Sequence, residues 1–561
     1  MFRPHNTAQS RLPSGNGVIA EHRSHKAARP ARAAWVFAAV ACLATAAHAT
    51  TYYVDIVAGS DSNTGTSAAA AWKTLSKVNG KTFTAGDQIL FHAGQTWSGQ
   101  LHPLGSGAVG SPITVSGYST GAMPIVDGSS LSGGGAVYLY NQSYWTIDGL
   151  EITSNSGVNN VGTLATPGIN RSGILVDNEG GMNLLKGITI QNNYVHDVNG
   201  CFQCNGVNPQ GNGGIVFLAD PTSTLSWGTD SYGDIVISNN LVDHVGRTGI
   251  VFWDNSTGLL FALDPSALSN NVTIHGNQVY NVDSDGIILA GAKNSIMDHN
   301  VVGVAGLVTV AGSGEPSAVG LWPAKTYYVT VEYNEVYGVH TAQGVDGEGY
   351  DVDLAAQYTT VQYNYSHDNE GGFMLMEGGF GHGINATIRY NLSVNDGYSG
   401  QHGIFTFAYG VIPNTSIYNN TIYVASGLPT NLTSCDGTPN WDKSTSETMQ
   451  VQNNIIANFG SGGYVSPTGS GISVDHNLFY GNHPSSEPVD AYKIVSDPLF
   501  VSASAIAPTG FGAVTGYQVS AGSPAIGSGA VISSNGGLDY FSRPVSATFA
   551  PTRGFYEATG L

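Results

Sequence analysis

The sequence predicts an all-β solenoid, a parallel β-helix of roughly ten or more coils with an N-terminal cap and a C-terminal capping segment. Two patterns carry that prediction. Ten β-type runs share a single Asn: ITIQNNYVHDV (Asn193), IVISNNLVDHV (Asn240), VTIHGNQVYNV (Asn277), SIMDHNVVGV (Asn300), VTVEYNEVYGV (Asn334), TTVQYNYSHDN (Asn364), ATIRYNLSVND (Asn391), TSIYNNTIYVA (Asn420), QVQNNIIANF (Asn454) and ISVDHNLFYG (Asn477). Their spacings are 47, 37, 23, 34, 30, 27, 29, 34 and 23, a shortest coil near 23 with insertions above it. Between them recurs a second run opened by Gly, as in GILVDN, GIVFLA, GIVFWDN, GIILAGA, GYDVDLA, GFMLMEG and GIFTFAY. An Asn repeated at one turn tolerates a left-handed bend and bonds its equivalents in the coils above and below, so all ten read as scaffold.

Residues 1–49 read as an export signal, which places the protein in the secreted or periplasmic space. Arg23, Lys26, Arg29 and Arg32 precede an apolar run from Ala33 to Ala47 that is too short to span a bilayer, and Ala47-His48-Ala49 has the small-x-small form of a cleavage site. Residues 50–140 form the cap and first coils, short β-branched runs broken by Gly, Ser, Asn and Asp, with Trp72 to Val78 alone reading as helix. Residues 141–481 are the coil core, and 482–561 change character and are assigned to closing the open end, where unpaired strand edges invite aggregation. Cys201-Phe-Gln-Cys204 reads as a loop disulfide, with Cys435 left over.

Losing residues 1–49 removes six Lys/Arg and one Glu, moving the net charge from -20 to -25. Such a chain is a poor partner for nucleic acid, anionic membranes or, without a bound cation, a polyanionic polymer. The expected partner is a polysaccharide and the expected state a monomer. Aligned on their Gly, the second runs put Ile174, Ile215, Ile250, Ile287, Tyr350, Phe373 and Ile404 in one inward column. Val176, Phe217, Phe252, Leu289, Val352, Leu375 and Thr406 form the other. The intervening residues are then outward and exposed: Leu175, Val251, Trp322, Asp351, Met374 and Phe405, and beside them Asp177, Trp253, Ala290, Asp353, Met376 and Phe407.

On that face the stretch Gly344 to Glu377 packs seven carboxylates and His367 into 34 positions, in a chain with only 10% charged residues. Stacked like charges must be protonated, paired or metal-bound, so the cluster marks a site. Glycoside hydrolysis needs two carboxyl groups about 5–9.5 Å apart, a range met by residues two apart on a strand or one coil apart. Asp351, Asp353, Glu348 and Glu370 are the candidate catalytic groups. Trp253 and Trp322 are candidate sugar platforms, with Arg247, His367 and Glu377 as further substrate contacts; Asp285, His244, His340, His382 and His402 lie nearby in register. This hydrolase reading requires no cofactor.

The opening stretch TYYVDIVAGSDSNTGTSAAAAWKTLSKVN with GDQILFHAGQTW resembles the N-terminal region of secreted right-handed parallel β-helix proteins, over about 80 residues. The tail segments SDPLF, YQVSAGSPAIGSG and RGFYE resemble their closing coils. Gly344 to Glu377 resembles the corresponding part of the family 9 pectate lyases. That resemblance implies calcium at Glu348 and Asp351, with Asp346 alongside, and it places Met374 where those lyases carry their catalytic lysine. The acidic groove is also similar, at the level of fold, to the family 141 glycoside hydrolases. Gly381-His382-Gly383 is similar to a polygalacturonase motif whose paired aspartates are missing here. The leading expectation is a polysaccharide-degrading glycoside hydrolase. Behind it stand a calcium-dependent lyase or epimerase of uronate polymers using Arg247 or Lys325, and a non-catalytic carbohydrate-binding protein or adhesin.

Overall fold

The computed structural model describes residues 49–561 apart from 158–159, 164, 182, 205–209, 220–229, 256–263, 309–317, 342–344, 379–383, 409–411, 437–447, 466–470 and 559–561. The expected export signal, apart from Ala49, and Gly381-His382-Gly383 lie outside the described residues. Three parallel sheets of 15, 14 and 10 strands run the length of the molecule, and the chain visits the first, second and third sheet in turn, coil after coil. This is a right-handed parallel β-helix, the hand that right-twisted parallel strands impose on their crossovers.

The corner between the first and second sheets is a single tight turn, and it explains the Asn repeat. Each ladder Asn is buried and accepts, on its side-chain oxygen, both the backbone N–H and the side-chain N–H of the Asn one coil earlier, at 2.9–3.0 Å from Asn193 through Asn477. Its own side-chain N–H also caps a strand-end carbonyl, as Asn334 does for Met297 at 2.9 Å. The left-handed bend is carried by the residue before, not by the ladder Asn: φ is 55° at His299 and Tyr333, 58° at Tyr363 and 52° at Tyr390.

Inward side chains form one continuous core from Val54 to Phe479. In the third sheet the expected register holds up to Tyr350 and then slips by one residue. Glu348 pairs with Gly372, Tyr350 with Met374 and Asp351 with Leu375, and the next strand keeps this offset, Met374 pairing with Phe405 and Leu375 with Thr406. Met374, Met376, Phe405 and Phe407 therefore face the core, while Leu375 and Thr406 take the outward column expected for them. The slip coincides with a change in corner packing. A Cβ at Gly249, Gly286 or Gly320 would meet Val279, Val302 or Val336 at 2.4, 2.5 and 2.2 Å, so only Gly fits. Ser366 and Ser393 replace that valine in the next two coils, Ser366 standing against Gly349. Past Gly349, Phe373 and Ile404 join the core, and Gly372 and Gly403 stand one residue earlier than the alignment on Gly expects.

The N-terminal helix is Leu75–Asn79, with Thr74 accepting from the Lys77 N–H at its start, and is shorter and later than the expected Trp72 to Val78; Leu75 and Val78 pack on the core. The C-terminal segment does more than close the end: it runs back along the outside of the last coils. Tyr365 Oη donates to the Pro508 carbonyl, Tyr363 Oη to that of Leu538 and Asn395 to that of Ala505, around a second apolar cluster with Val514, Tyr517, Tyr540 and Phe555.

Candidate active site

The outer face of the third sheet is not the open trough expected. Leu175, Val216, Leu218, Val251, Ile288, Ala290 and Trp322 point away from the core yet are buried, forming their own cluster with Trp253 half-buried at its margin. Trp253 and Trp322 meet edge to face at 6.2 Å, and the Trp322 indole N–H donates to Asp285 at 3.0 Å. Trp322 is thereby fixed as a wall of the face, and of the two indoles only that of Trp253 is half-exposed.

Immediately beyond Trp322 the column turns acidic. Leu321 pairs with Tyr350, which puts Asp351 next to Trp322 and Asp353 next to Ala324. The one-residue slip then brings Glu377, the last residue of the strand Gly372–Glu377, beside Asp353. Asp351, Asp353 and Glu377 offer one oxygen each within 4.8 Å of one another. Asp351 and Glu377 are buried; Asp353 is half-exposed.

The three carboxyl groups do not titrate alike. Burial, then the charges of Asp353, Asp346, Glu348 and Asp285, push Asp351 far above the ordinary carboxylate range. Glu377 is pushed far up by burial and by Asp353, Asp351 and Asp346, and it donates a hydrogen bond to Asp353. Burial also raises Asp353, but the Glu377 bond, the Leu354 N–H and the Lys325 charge all favour its anion. Lys325 stands over the Trp253 ring at 5.6 Å, its own pKa lowered by burial against the pull of Asp353 and Asp254. Asp353 is therefore raised as well, but less than Asp351 and Glu377.

The other expected site residues stand elsewhere. Glu348 is fully buried with its Oε1 3.7 Å from His402 Nδ1, and Glu370 sits in a turn where it accepts the Thr341 N–H at 2.9 Å beside His340. Asp346 is half-exposed at a left-handed turn position, φ 52°, and reaches the cluster through its charge. Arg247 is fully buried, stacked on Phe202 at 5.0 Å and donating to Ser284 at 2.9 Å, so a polymer on the surface does not meet it. His367 belongs to the second sheet, buried between Tyr337 and Tyr365 with Glu335 and Asp368 at its two nitrogens. Burial opposes its charge, but those two carboxylates outweigh it and raise its pKa. The calcium set expected from Asp346, Glu348 and Asp351 is not the one drawn together, which is Asp351, Asp353 and Glu377. The pairing of Glu377 with Asp353 depends on the slip, which alignment on Gly does not show.

Cys201 and Cys204 form the expected loop disulfide, and Cys435 stands outside any disulfide.

No protein-family model matches the chain. It is 28% identical to a lacto-N-biosidase of Bifidobacterium longum subsp. longum, over an alignment covering 87% of this chain and 35% of that protein, so the chain spans about a third of the relative's length. Among solved structures it is similar to the native GH136 lacto-N-biosidase from Eubacterium ramulus, with a TM-score of 0.56 and 24% identity over 76% of this chain and 68% of that one. It is also similar to XylC in complex with xylose, with a TM-score of 0.50 and 12% identity over 91% and 99% of the two chains. The likenesses to solved structures show the parallel β-helix fold.

Proposed function

We propose that the protein is a glycoside hydrolase in which Asp351 is the general acid and Asp353 the nucleophile. The observation that carries this is the split between neighbours two apart on one strand: burial and four neighbouring acids push Asp351 far up, while the Glu377 bond, the Leu354 N–H and Lys325 hold down the rise at Asp353. Environments that push paired carboxyl groups apart in pKa are what acid and base roles need. The spacing within 4.8 Å is nearer the roughly 5–5.5 Å of retaining enzymes than the roughly 6.5–9.5 Å that leaves room for a water between the groups.

Asp353 then bonds to the anomeric carbon as the glycosidic bond breaks, and the leaving oxygen takes the Asp351 proton. Water attacks the glycosyl–Asp353 ester with Asp351 as base, restoring both groups. Glu377 orients Asp353, and Trp253 offers an apolar edge to a sugar ring. The likeness to a lacto-N-biosidase over 87% of the chain supports the same chemical class and supplies the first glycan to try, one that a lacto-N-biosidase cleaves.

The three oxygens also fit a calcium-type donor set, and Asp351 Oδ1 has no hydrogen-bond partner among the described residues. A bound cation there would neutralise a uronate carboxyl, with Lys325 as base for elimination. Without one, Asp285, Asp346 and Glu348 around the cluster repel a polyanion, which favours a neutral glycan. Reducing-end release is to be measured on a glycan panel with and without EDTA. New reducing ends, no unsaturated product, insensitivity to chelation and a loss of about 10²–10⁴-fold in kcat for Asp351→Asn support hydrolysis. Unsaturated products that vanish on chelation overturn it.

A further inference from the structure

We propose that His275, Asp298 and His299 form a binding site for one divalent transition ion of the zinc class, on the first sheet and apart from the carboxylates of the third. The strands Ser269–His275 and Ala292–Asp298 are paired so that His275 stands directly opposite Asp298. His299 follows in the left-handed turn conformation, φ 55°, which swings its ring back over the same carboxylate. His275 Nδ1 lies 2.8 Å and His299 Nδ1 2.7 Å from one oxygen, Asp298 Oδ2, and the three donor atoms are all within 4.8 Å of one another.

Three features make this more than a pair of hydrogen bonds. The carboxylate is buried and held at the strand end, whereas the imidazoles are 43% and 55% exposed, so an ion can enter from solvent. Tyr333 stacks on the His299 ring at 5.1 Å, fixing its plane while leaving its Nδ1 edge on Asp298. The turn itself does not demand imidazole, since Asn192, Asn239, Asn419 and Asn453 adopt the same φ at the equivalent position. Two nitrogens and one oxygen suit zinc, nickel or copper and not calcium, and a water completes a tetrahedron. On binding, each Nδ1 that now donates to Asp298 becomes a lone-pair donor, its proton carried by Nε2 instead. The ion would clip together two coils whose ladder Asn residues are only 23 positions apart.

The test is calorimetric titration of the full chain with zinc chloride, alongside thermal melting. One site of micromolar affinity and an upward melting shift are expected for the native protein. His299→Asn, which the turn accommodates, should weaken zinc binding by at least about tenfold and remove the shift, and His275→Gln should do the same. Absence of zinc binding in the micromolar range overturns the proposal. So does binding that survives both substitutions but is lost in Asp353→Asn, because the ion would then sit in the carboxylate cluster.

Discussion

At the scale of single residues, the proton held among Asp351, Asp353 and Glu377 decides both chemistry and stability. All three have folded-state pKa values raised above those of an unfolded chain, so the folded protein binds more protons across that window. The contribution of these three groups to stability is therefore greatest at acid pH and falls as pH rises from the ordinary carboxylate range through the raised values. Glu377→Gln keeps a donor toward Asp353 and removes the charge. It should raise the melting temperature by a few degrees at pH 7.5, with the difference closing near pH 4, in paired thermal scans. A variant less stable than the native protein at pH 7.5 would count against a strained acid cluster. The carboxylate density between Asp346 and Glu377 was plain in the sequence. What was hidden was partnership: Glu348 and Glu370 look equivalent to Asp353 in a string of letters, yet Glu348 is buried at a strand's start beside His402 and Glu370 lies in a turn beside His340.

At the scale of the coil, the Asn corner and the Gly corner follow different physics, and that is why one was legible and the other only in part. An amide ladder needs the same residue at every level, so ten Asn announced the coil boundaries, including the short steps. The Gly corner is a matter of free volume. Wherever Val279, Val302 or Val336 crowds it, Gly is required; beyond it that valine gives way to Ser366, against Gly349, and then Ser393, and the strand after Gly349 shifts by one. A pattern match on Gly follows the letter and misses the volume. The ladder makes the sharper prediction. Asn334→Ala removes the acceptor of the Asn300 backbone and side-chain N–H groups and the side-chain donor to the Met297 carbonyl in a buried corner, while the Asn364 oxygen keeps the backbone N–H of residue 334, a loss of roughly 2–5 kcal/mol by chemical denaturation. Asn334→Asp, which retains the acceptor, should cost less.

At the scale of the whole molecule, the solenoid has two different ends and one reinforced flank. The tail covers the second sheet near Tyr365 and Asn395, and the carboxylates stand on the third. The amide ladder has a direction as well as a position. Every Asn passes its N–H toward the higher-numbered coil, so the amide dipoles from Asn193 to Asn477 point the same way and their field accumulates toward the C-terminal end. There the row stops on an anion: Asp490 Oδ2 accepts the Asn477 backbone N–H at 2.8 Å and its side-chain N–H at 3.1 Å. Such a row polarises each added member, so its terminus is the point at which it frays. Asp490→Ala should open the coil around Asn477 to limited proteolysis before the central coils melt, while Asn334 and its neighbours keep their protection against hydrogen exchange. The carboxylate at residue 490 is thus a counter-charge to a dipole built ten coils long, and the fold is polar along its axis in the electrical sense.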